Sequence, residues 1–575
     1  MRPQLSTRLF LACLPIAPTL ATLSWSPCPS HPSLDCTTLT VPLEYADPTN
    51  GSLASIPLAR FNATAPKSHR KGPLLTNPGG PGSSGIDFLA NGAGEGISNI
   101  TGGLYDIVSW DPRGVGAARP LLQCFANAGE EARAADMAPA AAEIAYSQLW
   151  NQSYAPAYYA ALQEYDSAVA ELADACVSRN SPALYTSSAA YVVRDMAAIA
   201  DALAGKTNAT LNYWGLSYGT IFGAEFIQTY PQRVGRVVLD GVFDPAANAQ
   251  PYTSQLPNDE LSVRDALSDL ATFCTQAGPE ACALSKPPRN STDVQTRLAT
   301  LQESLYENPI DTPDGSLSVT VGIFSFIIYS FLKLPTTWPT VASAVSALEH
   351  GDASRIANLL TDGTATADTD VSAPDTGSFA GWPLQCIDNA PSSQITLSDV
   401  ARLVRDISMA EKTPWLNADL ATVSFCRNFP DKRPRIPNLG ASKLTNLETN
   451  AALMARDTAV LIVNAQHDPS TPVTSAQTLH NWLPTSSQLV TRQGPGHTSI
   501  SLASLGLVHA IRGYLLDEQV PATEEVHDVN QVVFSSEIDS DLMTPAPVFN
   551  GSYSEEEKGL LESTYQVFLA FLTLP

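Results

Sequence analysis

Short apolar runs rich in β-branched residues recur along this chain, each closed by glycine, proline or asparagine. Between them lie stretches with apolar residues at three- and four-residue spacing. Residues 37–45 and 55–62 flank the turn Asp47-Pro48-Thr49-Asn50-Gly51 and predict an antiparallel hairpin. Residues 72–76 and 105–110 predict buried strands. An alanine-rich helical stretch follows from 130 to 180, and residues 191–203 read as an amphipathic helix ended by Gly205. Two more strands, 211–214 and 234–239, enclose a helix over 221–230. Strands alternating with helices imply an α/β fold with a mostly parallel, doubly wound sheet.

The rhythm breaks after Asp244-Pro245. Helical patterns over 261–276, 293–306, 319–332 and 339–350 are joined by polar loops, and a Thr-, Asp- and Ser-rich stretch over 361–377 reads as mobile. Residues 246–378 therefore read as an inserted helical cap. Residues 379–437 tie it back, and the α/β pattern resumes with strands at 458–464 and 487–491. The divisions expected are a signal over 1–24, core over 25–245, cap over 246–378, cap return and second core part over 379–521, and an extension over 522–575.

One junction carries chemistry. Gly215-Leu216-Ser217-Tyr218-Gly219 sits between a strand and a helix, the setting of a nucleophile elbow. Glycines flank the serine because the turn brings backbone too close for a Cβ. The bland alternative is a serine that merely caps the helix. Upstream, Asn77-Pro78-Gly79-Gly80-Pro81-Gly82-Ser83-Ser84-Gly85 ends another strand and reads as an oxyanion loop, with N–H groups from Gly79, Gly80 and Tyr218 as donors. Asp111 and Arg113, around Pro112, suggest a self-paired loop at the site's rim. Asp468, just past the strand at 458–464, and His497, in Gly494-Pro495-Gly496-His497, complete a Ser, Asp, His order; Asp240 is the rival acid. This chemistry calls for no metal, nucleotide or flavin.

Composition places the chain in a compartment. With 57 acidic and 32 basic residues the formal charge is −25, which excludes a phosphate-backbone partner. Arg2 and Arg8 precede an apolar run over 9–20, a secretory signal by pattern. Residues 319–334 are too short for a comfortable membrane crossing and read as a buried cap helix. Cys13 leaves with the signal; Cys28, Cys36, Cys124, Cys176, Cys274, Cys282, Cys386 and Cys426 remain, an even number without a C-x-x-C pair, and read as disulfides. Nearest-neighbour pairing is one of many connectivities. Sequons at Asn50, Asn62, Asn99, Asn151, Asn208, Asn290 and Asn550 add to a secreted, glycosylated picture.

The strings at 77–85, 110–116, 213–220, 237–245, 461–472 and 494–497 resemble the secreted tripeptidyl aminopeptidase-like hydrolases of the proline iminopeptidase group. The resemblance runs from about residue 25 to 521 and is weakest in the cap. It implies an α/β-hydrolase core, a helical cap, a triad of Ser217, Asp468 and His497, and release of short peptides or single residues from free N-termini. The chain departs from the family in having no cysteine after Cys426 and in its extension over 522–575, which reads as a terminal helix packed on the core. An exopeptidase needs a carboxylate for the substrate's ammonium, and Asp388 is the candidate. The triad alone does not separate amide from ester substrates. An esterase or lactonase, its cap lined by Phe324, Phe326 and Tyr329, is the alternative, and an inactive binding protein the third reading.

Overall fold

The computed structural model describes residues 22–135, 140–141, 143–144, 155–246, 250–285, 291–363, 377–411, 420–439, 460–539 and 542–574. The signal expected over 1–24 falls largely outside these residues, as does most of the stretch expected to be mobile.

A ten-stranded sheet organises the molecule. Its strands are β1 (Ser26–Pro27), β2 (Asp35–Pro42), β3 (Leu53–Phe61), β4 (Gly72–Asn77), β5 (Tyr105–Trp110), β6 (Leu211–Leu216), β7 (Val234–Asp240), β8 (Val460–His467), β9 (Ser487–Pro495) and β10 (Glu525–His527). Across the sheet they run β1-β2-β3-β5-β4-β6-β7-β8-β9-β10, antiparallel up to the β3/β5 pair and parallel from β5 onward. Alternation along each central strand feeds two cores. Leu211, Tyr213, Val237, Leu239, Val460 and Ile462 face one side; Trp214, Leu216, Val238, Leu461 and Val463 face the other. β8 runs on past the expected end at Asn464 to His467 because β9 pairs with it as far as Pro495, so cross-strand pairing overrides a locally polar stretch.

The helices cover both faces and build a separate layer. They are α1 (Gly94–Ile100), α2 (Ala155–Asn180), α3 (Ala189–Ala204), α4 (Gly219–Thr229), α5 (Leu256–Ala277), α6 (Ser291–Glu307), α7 (Val321–Leu332), α8 (Trp338–Leu348), α9 (Ser354–Gly363), α10 (Gly381–Asp388), α11 (Leu397–Glu411), α12 (Leu420–Arg427), α13 (Val473–Trp482), α14 (Leu505–Asp517) and α15 (Glu555–Leu572). α3, α4 and α13 pack on one face of the sheet, α1, α14 and α15 on the other. α2 and α5 to α12 share a third apolar core, the cap's own. Phe324 and Tyr329, named for the esterase alternative, are buried in that core, and Phe326 is half-buried. Among the described residues no single helix is long and apolar enough to cross a membrane.

Disulfides join Cys28 to Cys36, Cys124 to Cys176, Cys274 to Cys282 and Cys386 to Cys426, bonds that suit an oxidising compartment. Asn50, Asn62, Asn99, Asn208 and Asn550 are exposed, whereas Asn151 and Asn290 lie outside the described residues.

Candidate active site

The sharp turn between β6 and α4 holds Ser217 at φ 52°, a left-handed backbone that a non-glycine residue adopts only when its surroundings enforce it. They do so here. Ser217 N–H donates to Asp240 O at 2.9 Å, Thr220 Oγ1 donates to Ser217 O at 2.6 Å, and Tyr213 Oη donates to Gly219 O at 2.7 Å. A Cβ on Gly215 would stand 2.6 Å from Gly219 O, and one on Gly219 2.6 Å from Asn77 O. Glycine at both positions is a steric requirement.

The parallel strands then deliver the partners from the same edge of the sheet. Ser217 Oγ and His497 Nε2 are 2.8 Å apart, and His497 Nδ1 lies 3.0 Å from each Asp468 oxygen. Asp468 is fully buried and also accepts from the N–H groups of Ser470, Thr471 and Thr498 and from Thr471 Oγ1. Burial pushes its carboxyl up, but the neighbouring His497 and the bonds from His497 and Thr471 outweigh that and hold it below the ordinary range. Asp240 does not reach the histidine. Its oxygens accept from Ser499 N–H at 2.7 Å and Ser499 Oγ at 2.6 Å, fixing the loop just beyond His497.

The glycine loop lies against this elbow. A Cβ on Gly79 would come within 2.6 Å of Tyr218 N. Gly79 N–H is itself taken by Asn77 Oδ1 at 3.0 Å, which corrects its expected part as a donor; the Gly80 and Tyr218 N–H groups have no acceptor among the described residues. A hydroxyl in line with an imidazole and a buried carboxylate, beside uncommitted N–H donors, can attack a carbonyl and shelter the oxyanion that forms.

Comparison with known proteins agrees with this chemistry. A family model described as alpha/beta hydrolase fold matches residues 72–268, and one described as TAP-like protein matches residues 426–527. Serine protease Hip1 of Mycobacterium tuberculosis (strain ATCC 25618 / H37Rv) is 27% identical over 522 residues, 87% of this chain and 89% of that protein. A tripeptidyl aminopeptidase of Streptomyces lividans is 26% identical over 512 residues, 88% and 86% of the two chains. The chain is a serine hydrolase of the α/β-hydrolase fold. A carboxylesterase B of Mycobacterium tuberculosis (strain ATCC 25618 / H37Rv), 28% identical over 503 residues, covers 85% of each chain.

Two side chains singled out by the sequence are held by internal partners. Asp388 is only 3% exposed, at the end of α10. It accepts from Tyr218 Oη at 2.6 Å, Ala189 N–H at 2.8 Å and Asn438 Nδ2 at 2.8 Å. It is an internal tie between cap and elbow, its two oxygens shared among these three donors. Burial pushes its carboxyl up to about 6, against the bonds from Asn438, Tyr218 and Ala189. Arg113 does not pair with Asp111. Its guanidinium holds Asp195 by two bonds, 2.7 and 2.9 Å, and donates to Leu43 O and Pro42 O; Asp111 instead accepts from Ser84 Oγ and the N–H groups of Ile86 and Ala117.

Sequence reasoning also passed over Thr471 and Arg492. Thr471 Oγ1 touches both Asp468 and His497 Nδ1. Arg492, fully buried, spends its guanidinium on the carbonyls of Gln493, Pro495, Thr498 and Ser499 and on Ser501 Oγ, wrapping the loop that carries His497. Burial lowers its pKa to about 10. The available signal was an arginine closing an apolar strand run five residues before the histidine. Among the described residues no group of three or more His, Cys, Asp or Glu side chains could hold a metal ion.

Proposed function

We propose that this hydrolase is a secreted aminopeptidase that releases short peptides, tripeptides above all, from free N-termini through an acyl-enzyme. The continuous hydrogen-bond path from Ser217 through His497 to buried Asp468 carries the acyl-enzyme part of the reading. His497 takes the serine proton as Ser217 attacks the carbonyl and later gives it to the departing amine; Asp468 fixes the tautomer and stabilises the imidazolium. Gly80 and Tyr218 N–H groups receive the oxyanion, each such donor being worth on the order of 100- to 1,000-fold in rate. Water then releases the acyl group. The tripeptidyl aminopeptidase relative supports peptide substrates, and the four disulfides together with the signal pattern over 1–24 support secretion.

The second reading, a carboxylesterase, has support from a relative of equal similarity. One experiment separates the two: wild type and Ser217→Ala are assayed on a chromogenic tripeptide amide with a free amine, its N-acetylated twin and a short acyl ester. Turnover of the free-amine peptide alone, abolished by the substitution, is expected. Turnover of the ester alone would replace the aminopeptidase with an esterase, and turnover that survives Ser217→Ala would remove Ser217 from the chemistry.

A further inference from the structure

Residues 528–574 lie beyond both matched family regions, and they return to the site. The segment first crosses the cap, where Val533 and Phe534 are buried in its core and Leu542 O accepts from Thr340 Oγ1 at 2.8 Å. α15 then comes back to the sheet, started by a capping box in which Ser554 and Glu557 satisfy each other's N–H groups. It lies along α1, which follows the oxyanion loop by way of the helical residues Gly85–Phe88 and Leu89–Ala93. A Cβ on Gly96 would stand 2.7 Å from Val567 Cγ2 and 2.9 Å from Ser563 O, so α1 is cut to receive it. α15 also rests on the turn Ser499–Ser501 that follows His497. Its last turn sets the Phe571 ring edge-on to the His497 imidazole, with centroids 5.7 Å apart and planes at 61°.

We infer that Phe571 is a positioning residue for His497, and that the C-terminal helix is thereby part of the active site. The inference rests on the reading of His497 as the base. The contact with Asp468 is shared equally by two oxygens at 3.0 Å and acts as a pivot at Nδ1. A pivot fixes one end of the ring and leaves the swing of Nε2, the atom that meets Ser217, to be set by whatever packs against the ring. Phe571 supplies that second constraint. An edge-to-face aromatic pair carries a modest preference, and its loss translates to a rate decrease of roughly threefold to tenfold.

The test uses the full chain as wild type, Phe571→Ala, Phe571→Tyr and Gly96→Val. The last displaces α15 without touching His497. Readouts are the rate of Ser217 labelling by a fluorophosphonate, kcat and KM on a p-nitrophenyl ester, and the thermal unfolding midpoint. Phe571→Ala should label and turn over roughly threefold to tenfold more slowly with KM within about twofold. Phe571→Tyr, which keeps the ring, should recover most of the rate, and Gly96→Val should reproduce the loss. Labelling of Phe571→Ala at the wild-type rate, or a loss no larger than its unfolded fraction accounts for, would overturn the inference. Absence of labelling in the wild type would overturn the serine-hydrolase mechanism with it, so the two failures are told apart.

Discussion

Asp388→Asn isolates the tie between the cap and the elbow. Folding moves this carboxyl from water, where its ordinary value is 3.8, to a site where burial lifts it to about 6 despite the bonds from Asn438, Tyr218 and Ala189. Because the folded value is the higher one, the native chain holds an extra proton between about pH 4 and pH 6. Stability therefore falls as pH rises through that window, and above it a buried charge is carried at constant cost. The difference between 3.8 and about 6 corresponds to about 3 kcal/mol. Asparagine keeps the shape and an acceptor for Ala189 and Asn438, carries no charge, and loses the acceptor for Tyr218 Oη, a loss of about 1–3 kcal/mol. Relative to wild type, the variant should be clearly weaker at pH 4 and close to parity at pH 7. Denaturant unfolding of both proteins across that range measures it, and the difference cancels Asp240, which burial also lifts to about 6. Parallel stability curves would refute the argument. The same variant addresses substrate recognition, since a buried Asp388 predicts no rise in KM confined to free-amine peptides.

Asp468→Asn should leave the fold intact by circular dichroism and lower kcat by roughly 1,000- to 10,000-fold, because the amide favours the wrong histidine tautomer; a loss below tenfold would remove Asp468 from the mechanism. Asp195→Ala strands the buried Arg113 guanidinium and should cost about 3–5 kcal/mol of stability, read as an unfolding midpoint, with an unchanged midpoint speaking against the pairing. His467 Nδ1 and Asp269 Oδ2, 2.6 Å apart, link the end of β8 to cap helix α5, and the bond to Asp269 raises the histidine above its ordinary 6.5. That latch is complete below about pH 6.5 and is lost as pH rises through the raised value. Limited proteolysis of the cap should accelerate as pH rises above about 6.5 in the wild type and respond less to pH in Asp269→Asn; identical pH profiles would count against the latch.

The elements that position the site are those with the strongest local signal. β6 and α4 combine an apolar β-prone run, a turn that demands glycine, and a helix closed by Pro231, so pattern and sterics agree. Asp468 rather than Asp240 meets His497 because β8 and β9 are neighbours in the sheet, while β7 lies one strand farther away. What sequence could not give was depth and partnership. Asp388 looks like any loop acid until α10 is seen to seat it on Tyr218. Arg113 has an acid two residues away, yet it pairs with Asp195 on α3, because Asp111 is already consumed by the loop that it closes. The tail offered an apolar helix pattern, and nothing in that pattern said which surface it would meet.

The cap is joined to the hydrolase core at the very residues that hold the histidine. Ser262 Oγ donates to Asp468 O, Asp269 holds His467, and Asn258 meets Thr474. His497 N–H donates to Lys333 O at 2.9 Å, and Pro335 stands where a Cβ on Gly496 would collide at 2.7 Å. Any one of these bonds is worth only about 1 kcal/mol and could not by itself keep a cap closed. Acting together on residues 467–474 and 496–497, they make docking of the cap and orientation of the Asp468–His497 pair a single event. A cap that swung away as a rigid body would release the backbone of the base it serves. Substitutions in these cap contacts are therefore expected to be read out in kcat as well as in KM.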